Sequence, residues 1–126
     1  MKHTPGFLAI VEEARAKVIE ISTDEYQDML SAGTKHVLVD VREESEFAAG
    51  HAAGAVHLGK GIIERDIETK QPDTGSLLVL YCGGGYRSAL AAEAIQRMGY
   101  TKVRSLAGGW RAWQEAGLPI EGPESK

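Results

Sequence analysis

The chain has 126 residues, 43% of them hydrophobic and 25% charged, and its 14 basic against 18 acidic residues give a net charge of −4. That is one domain with a core of its own, and the acidic balance argues against a general nucleic-acid binder. A single cysteine excludes an internal disulfide framework, and the N-terminal apolar run from Phe7 to Val11, stopped by Glu12 and Glu13, is too short for a membrane span or a signal-peptide core, so a cytoplasmic protein that makes no membrane contact is expected.

Residues Gly6 to Lys17 form a predicted helix with Phe7, Ile10, Val11 and Ala14 on one face. "KVIEIS" follows as a short strand. "STDEYQDMLSAG" carries a cap at Ser22 or Thr23, acidic residues in its first turn and a terminating Gly33, the pattern of a helix. Lys35 to Val41 reads as a buried strand, "EESEFAAG" as a helical turn and "GAVHL" as a third strand. Residues 59–75 are polar and irregular around a short helix at Ile62–Thr69. "SLLVLYC" is apolar without interruption, the mark of a central strand covered on both faces. An alanine-rich helix ends at Gly99, "KVRSL" is a fifth strand, and "GGWRAWQEAG" is a last helix before a frayed tail from Pro119. Strands alternating with helices predict one α/β domain on a mostly parallel sheet.

The lone cysteine, Cys82, ends the central strand, at the carboxyl edge where α/β sheets bind ligands. Gly83, Gly84, Gly85, Tyr86, Arg87 and Ser88 then lead into a helix. Unpaired N–H groups and the dipole at a helix start favour an anion, glycines let successive N–H groups face one centre, and Arg87 adds charge. Together they favour a nucleophilic thiolate. A cysteine after an apolar run is ordinarily a small core residue. Three consecutive glycines and a cation on the unfavourable side of the helix dipole argue for chemistry instead.

Other uses of the loop fit less well. A dinucleotide fingerprint would want Gly or Ala at Ser88 and an acidic residue within Thr101–Gly109, where none occurs. A Walker lysine is missing, and His3, His36, His51 and His57 form no metal spacing with Cys82.

These residues resemble the rhodanese (sulfurtransferase) family from about Ile19 to Pro119. The loop matches its C-x-x-G-x-R-S/T pattern at Cys82, Gly85, Arg87 and Ser88. An upstream signature appears at Asp40, Arg42, Phe47, Gly50, His51, Gly54, Ala55 and Leu58, and a C-terminal one at Gly108, Gly109, Trp110 and Trp113. Ala52–Ala53 depart from the usual β-branched residue and proline.

The resemblance implies a rhodanese-like three-layer fold over residues 18–120, with a central, mostly parallel five-stranded sheet flanked by helices on both faces. Residues 1–17 are then a helical extension and 121–126 a flexible tail. It also implies sulfur transfer without cofactor or metal. The Cys82 thiolate takes sulfane sulfur from thiosulfate or a persulfide donor, and the resulting persulfide passes it to cyanide or a thiol acceptor. A persulfide-carrying protein is a possible partner, and a monomer or weak dimer is the expected state.

Two alternatives share the fold. One is a non-catalytic interaction or regulatory module. The other is a phosphatase or arsenate reductase, whose C-x5-R loop is one residue longer than the four-residue spacing between Cys82 and Arg87. Asp40 and Arg42 are supporting residues, as loop holders, pocket lining or a structural ion pair. Glu46 argues against a strongly cationic, thiosulfate-specific site. Tyr86 belongs to the pocket rim, Trp113 to the core, and Lys60 and Arg65 to the mouth or to a solvated face. The first helix is left to pack on its own domain or to meet a partner.

Overall fold

The structure, a computed structural model, describes residues 2–122. In chain order the elements are α1 (Pro5–Arg15), β1 (Ile19–Ile21), α2 (Thr23–Ser31), β2 (Val37–Asp40), α3 (Glu44–Ala49), β3 (His51–Ala52), β4 (Val56–His57), α4 (Ile63–Lys70), β5 (Leu77–Tyr81), α5 (Tyr86–Gln96), β6 (Lys102–Leu106), α6 (Gly109–Glu115) and β7 (Ile120–Glu121). Five parallel strands form one sheet in the order β1–β6–β5–β2–β4. Strand β5, which leads into Cys82, is therefore central, as its uninterrupted apolar run predicts.

Alternation along β5 explains why that run has no polar face. Leu78, Leu80 and Cys82 point into one core with Ile63, Ile67 and Ile95 from α4 and α5. Val79 and Tyr81 point into the other with Tyr26 and Trp113 from α2 and α6. A side chain of this size contributes about 1.5–3 kcal/mol when fully buried, so both faces of the strand anchor it. Helix starts are set locally. Ser22 Oγ accepts from the Glu25 N–H at 3.1 Å while Glu25 Oε1 accepts from the Ser22 N–H at 2.7 Å, a reciprocal cap on α2. Pro5 occupies the first position of α1, where its missing N–H costs nothing.

Two expectations change. Helix α1 packs on α5 through Val11 and Ala14, but Ile10, expected on the buried face, is half exposed. The tail does not fray at Pro119, because Ile120 and Glu121 pair antiparallel with Ala52 and His51. The unusual Ala53 serves that pairing: its N–H donates to Pro119 O at 3.0 Å, a bond a proline there could not make. Two-residue strands of this kind leave no periodic signal. Residues 123–126 of the expected tail, and Met1, lie outside the described residues. No helix among the described residues is long and apolar enough to cross a membrane.

Candidate active site

Cys82 follows the last residue of β5 and is 1% exposed. Its Sγ accepts hydrogen bonds from the Gly85 N–H at 3.1 Å and the Ser88 N–H at 3.3 Å. Behind it, Ser88 Oγ lies 3.6 Å away and in turn 2.8 Å from Ser105 Oγ on β6. Two backbone N–H groups of the loop thus face the sulfur. They come from Gly85 and Ser88 rather than evenly from the whole loop, while the N–H groups of Tyr86 and Arg87 open α5 without a helical partner.

Only Gly85 among the three loop glycines has a left-handed backbone, with φ of +96°. A Cβ there would come within 3.1 Å of Gly108 N. At Gly83 a Cβ would lie 3.2 Å from the Arg87 guanidinium, a side-chain tip that can shift.

Gly109 contributes from outside the loop, and motif reading alone gave it no physical role. Its own backbone abuts the end of β5, so that a Cβ would meet Cys82 O at 2.3 Å. This closeness lets α6 donate the Trp110 N–H to Cys82 O at 2.7 Å and the Arg111 N–H to Gly83 O at 3.1 Å. Those carbonyls are held away from the sulfur, which leaves the N–H side of the loop facing it. A glycine pair opening a helix beside a second glycine-rich turn is the available sequence signal.

Arg87 does not stand free. Its Nη1 and Nη2 lie 3.0 and 3.3 Å from Glu46 Oε1 and Oε2, a two-pronged pair reaching from α5 to α3. The Glu46 hydrogen bond, opposed by burial and aided by the Cys82 charge, raises the Arg87 pKa. Arg87 in turn lowers that of Glu46. The positive charge expected at the loop is therefore largely balanced.

Asp40 and Arg42 do not line the cleft over Cys82. They form a buried fork, with Arg42 Nε 3.0 Å from Asp40 Oδ1 and Nη2 2.8 Å from Oδ2. Arg42 Nη2 also donates to Gly50 O at 2.6 Å, Tyr81 Oη donates to Asp40 Oδ2 at 2.6 Å, and Trp110 covers the guanidinium at 4.8 Å. The pair ties β2, β3 and α6 together. Burial opposes the Arg42 charge, but the Asp40 hydrogen bond and charge outweigh it and raise its pKa. Burial and the Asp40 contact push the Tyr81 hydroxyl far above its usual range.

The remaining candidates separate clearly. His51 and His57 flank the Phe47 ring, at 3.7 and 4.8 Å between centroids, rather than converging on a metal. Lys60 lines a smaller cavity beside α4 and α5, and Arg65 is exposed and paired with Asp66, so neither charges the mouth. Trp113 is buried and donates to Pro119 O at 2.8 Å. Tyr86 does line the cleft, a cavity of about 660 Å³ with Cys82 on its wall.

Comparison with known proteins agrees with this architecture. The family model described as a rhodanese-like domain matches residues 22–116. A sulfurtransferase from Allochromatium vinosum is 34% identical over 107 residues, covering 85% of this chain and 98% of the relative. Among solved structures, a Rhodopseudomonas palustris protein described as a possible tyrosine phosphatase superposes with a TM-score of 0.82 at 33% identity, covering 96% of this chain and 98% of the other. The polysulfide-sulfur transferase homodimer of Wolinella succinogenes gives a TM-score of 0.78 at 26% identity, covering 94% and 89%.

Proposed function

Because the chain belongs to the rhodanese-like family and is a homologue of its sulfurtransferases, we propose that Cys82 carries sulfane sulfur between a donor and a thiol or cyanide acceptor. The thiolate attacks the outer sulfur of the donor. With thiosulfate, a Cys82 S–S bond forms, the donor S–S bond breaks, and sulfite leaves with the bonding electron pair. The terminal persulfide sulfur then bears the negative charge. An acceptor thiolate attacks that sulfur, and the electron pair of the broken bond returns to Cys82.

The observation that carries this reading is the pair of N–H donors aimed at Sγ from Gly85 and Ser88. Fixed donors of this kind stabilise charge on a reacting atom without reorganising. Cys82 is the only cysteine, so the sulfur has no internal thiol to move to and must leave to an external acceptor.

The donor is better sought among persulfides and polysulfides than in thiosulfate. Glu46 balances Arg87, which weakens the attraction for a dianion. The Wolinella relative transfers sulfur from polysulfide. A phosphatase reading draws on the Rhodopseudomonas description. Against it stand the four-residue spacing from Cys82 to Arg87 and a guanidinium already engaged by a carboxylate.

Intact mass after incubation with polysulfide or thiosulfate tests the proposal. One added sulfur, missing in Cys82→Ser and removed by cyanide with release of thiocyanate, is expected. No added sulfur from either donor overturns it, and turnover of an aryl phosphate by the same protein would point to phosphoryl chemistry.

A further inference from the structure

Tyr86 sits between the two residues that hold the sulfur. Gly85 precedes it and Ser88 follows two places on, and both donate their N–H to Cys82 Sγ, at 3.1 and 3.3 Å. Three glycines in a row give the loop unusual backbone freedom, so donors that stay in place need a hold from outside. Helix α6 supplies one at the start of the loop, through its bonds to the Cys82 and Gly83 carbonyls. Those bonds reach no further than Gly83.

A second hold comes from the N-terminal segment. The Tyr86 side chain is half-buried and belongs to neither core. Its ring neighbours among the described residues are His3, at 4.3 Å between centroids, and Phe7, at 6.1 Å, and Arg15 Cζ lies 4.7 Å from its centre. Phe7, Val11 and Arg15 stand at successive intervals of one helical turn and form one stripe of α1. Val11 is buried and α1 packs on α5, so the stripe is pinned at its middle and presents its two ends to Tyr86. Arg15 is steadied in turn by Glu20 of β1, with Nε 3.1 Å from Oε2. All of α1 precedes residue 22, where the rhodanese-like match begins. The loop is thus braced by a helix that the family model does not include.

Arg15 separates positioning from substrate contact. His3, Phe7 and Tyr86 line the cleft, but Arg15 does not. A donor in the cleft meets Tyr86 and not the cation behind it.

We propose that Arg15 and Phe7 are positioning residues for Cys82: they hold the Tyr86 ring, and the ring keeps the Gly85 and Ser88 N–H groups on the sulfur. The proposal rests on the reading of Cys82 as the nucleophile and adds what keeps its donors fixed. Fixed donors stabilise charge on the reacting atom without reorganising, and a loosened loop loses part of that in every step. Arg15 makes no bond to substrate, so its effect falls on the rate at saturation rather than on KM.

The test is the rate at which iodoacetamide, a small neutral reagent, alkylates Cys82 in the full chain. Arg15→Met should slow it about two- to fivefold, the equivalent of one exposed cation–π contact. Arg15→Lys keeps a cation over the ring and should react near the wild-type rate. In a Tyr86→Leu background, Arg15→Met should change nothing further. A through-space pull of the Arg15 charge on the thiolate would persist there, so equal losses in both backgrounds overturn the proposal, as does a wild-type rate in Arg15→Met. If Tyr86→Leu does not fold, Phe7→Leu takes its place, since it removes no charge. It should slow alkylation about threefold, and a wild-type rate in that variant overturns the proposal. Sulfur loading from polysulfide, followed by mass, judges the chemistry separately. Arg15→Met should lower its rate at saturating donor by the same factor with KM unchanged, and a raised KM at an unchanged maximal rate overturns the positioning role. A chain that takes no sulfur sinks the sulfur-transfer reading, while the alkylation pattern still decides the hold on the loop.

Discussion

Arg87 reaches from the cysteine loop to grip Glu46 with both terminal guanidinium nitrogens, at 3.0 and 3.3 Å. Glu46 is itself held, because its Oε1 accepts the Glu43 N–H at 2.8 Å at the start of α3. The guanidinium on the cysteine loop therefore has a fixed counter-charge. In Glu46→Gln that charge is gone and Arg87 is released toward the anionic donor. At partial exposure the gain is about 1 kcal/mol, so KM for thiosulfate should drop roughly fivefold while cyanide dependence changes less. Steady-state kinetics at low and high salt check this, and the gain should shrink at high salt.

The same pair fixes an acid dependence. Arg87 holds the Glu46 pKa below its ordinary 4.5. Folding thus gains from the ionised carboxylate above that ordinary value and loses the gain as pH falls through the lowered one. Denaturation midpoints between pH 3 and 7 should decline less steeply in Glu46→Gln than in wild type below about pH 4.5. Parallel curves would mean that the pair does not contribute to stability.

Asp40 and Arg42 form a buried pair outside the cleft lining. Removing one partner of a buried pair strands the other, and Arg42→Ala should cost about 3–5 kcal/mol, read by chemical denaturation. The Gly50 carbonyl would lose its Arg42 donor as well, while the Tyr81 hydroxyl would keep its bond to Asp40. An Asp40→Asn, Arg42→Met double variant should recover part of the loss, since no charge is then left buried and unpaired.

How much of this could be read in advance depended on whether a signal was local. The Leu78–Tyr81 run announced a central strand because both of its faces meet apolar layers. The Ser22–Glu25 cap announced a helix because its partners are three residues apart. Cys82 and its loop stood out because three glycines in a row cost backbone entropy that packing does not require. The Glu46–Arg87 pair spans 41 residues, and the β3–β7 pairing joins residues even further apart through strands of two residues each. No window along the chain contains either. The contact of the N-terminal segment with the cysteine loop was equally hidden, since only the fold brings His3 and Phe7 onto Tyr86.

Gly109 carries a prediction that separates backbone fit from side-chain chemistry. In Gly109→Ala the new methyl would meet the Cys82 carbonyl at 2.3 Å, at a backbone φ of +49°. Neither neighbour is a flexible side chain that can swing aside. The expected cost is about 2–4 kcal/mol, together with impaired sulfur loading, because α6 must withdraw from the Cys82 and Gly83 carbonyls. Wild-type stability in this variant would remove the close approach from the account.

Ser105 gives the last test. While Cys82 is a thiol it can donate to Ser88 Oγ, 3.6 Å away. Once that proton has left, only the Ser88 hydroxyl can donate across the gap, and the Ser105 hydroxyl, 2.8 Å behind, must then donate to Ser88 Oγ. Ser105 is fully buried and reaches the sulfur only through Ser88, so its expected role is to position that hydroxyl. Ser105→Ala should slow alkylation and sulfur loading of Cys82 about three- to tenfold, the equivalent of one neutral hydrogen bond. Ser105→Thr keeps the hydroxyl and adds a methyl group to a filled core, at a cost of about 1–3 kcal/mol in stability. It should therefore be less stable than wild type yet react near the wild-type rate. If rate instead follows stability through both variants, Ser105 is packing alone.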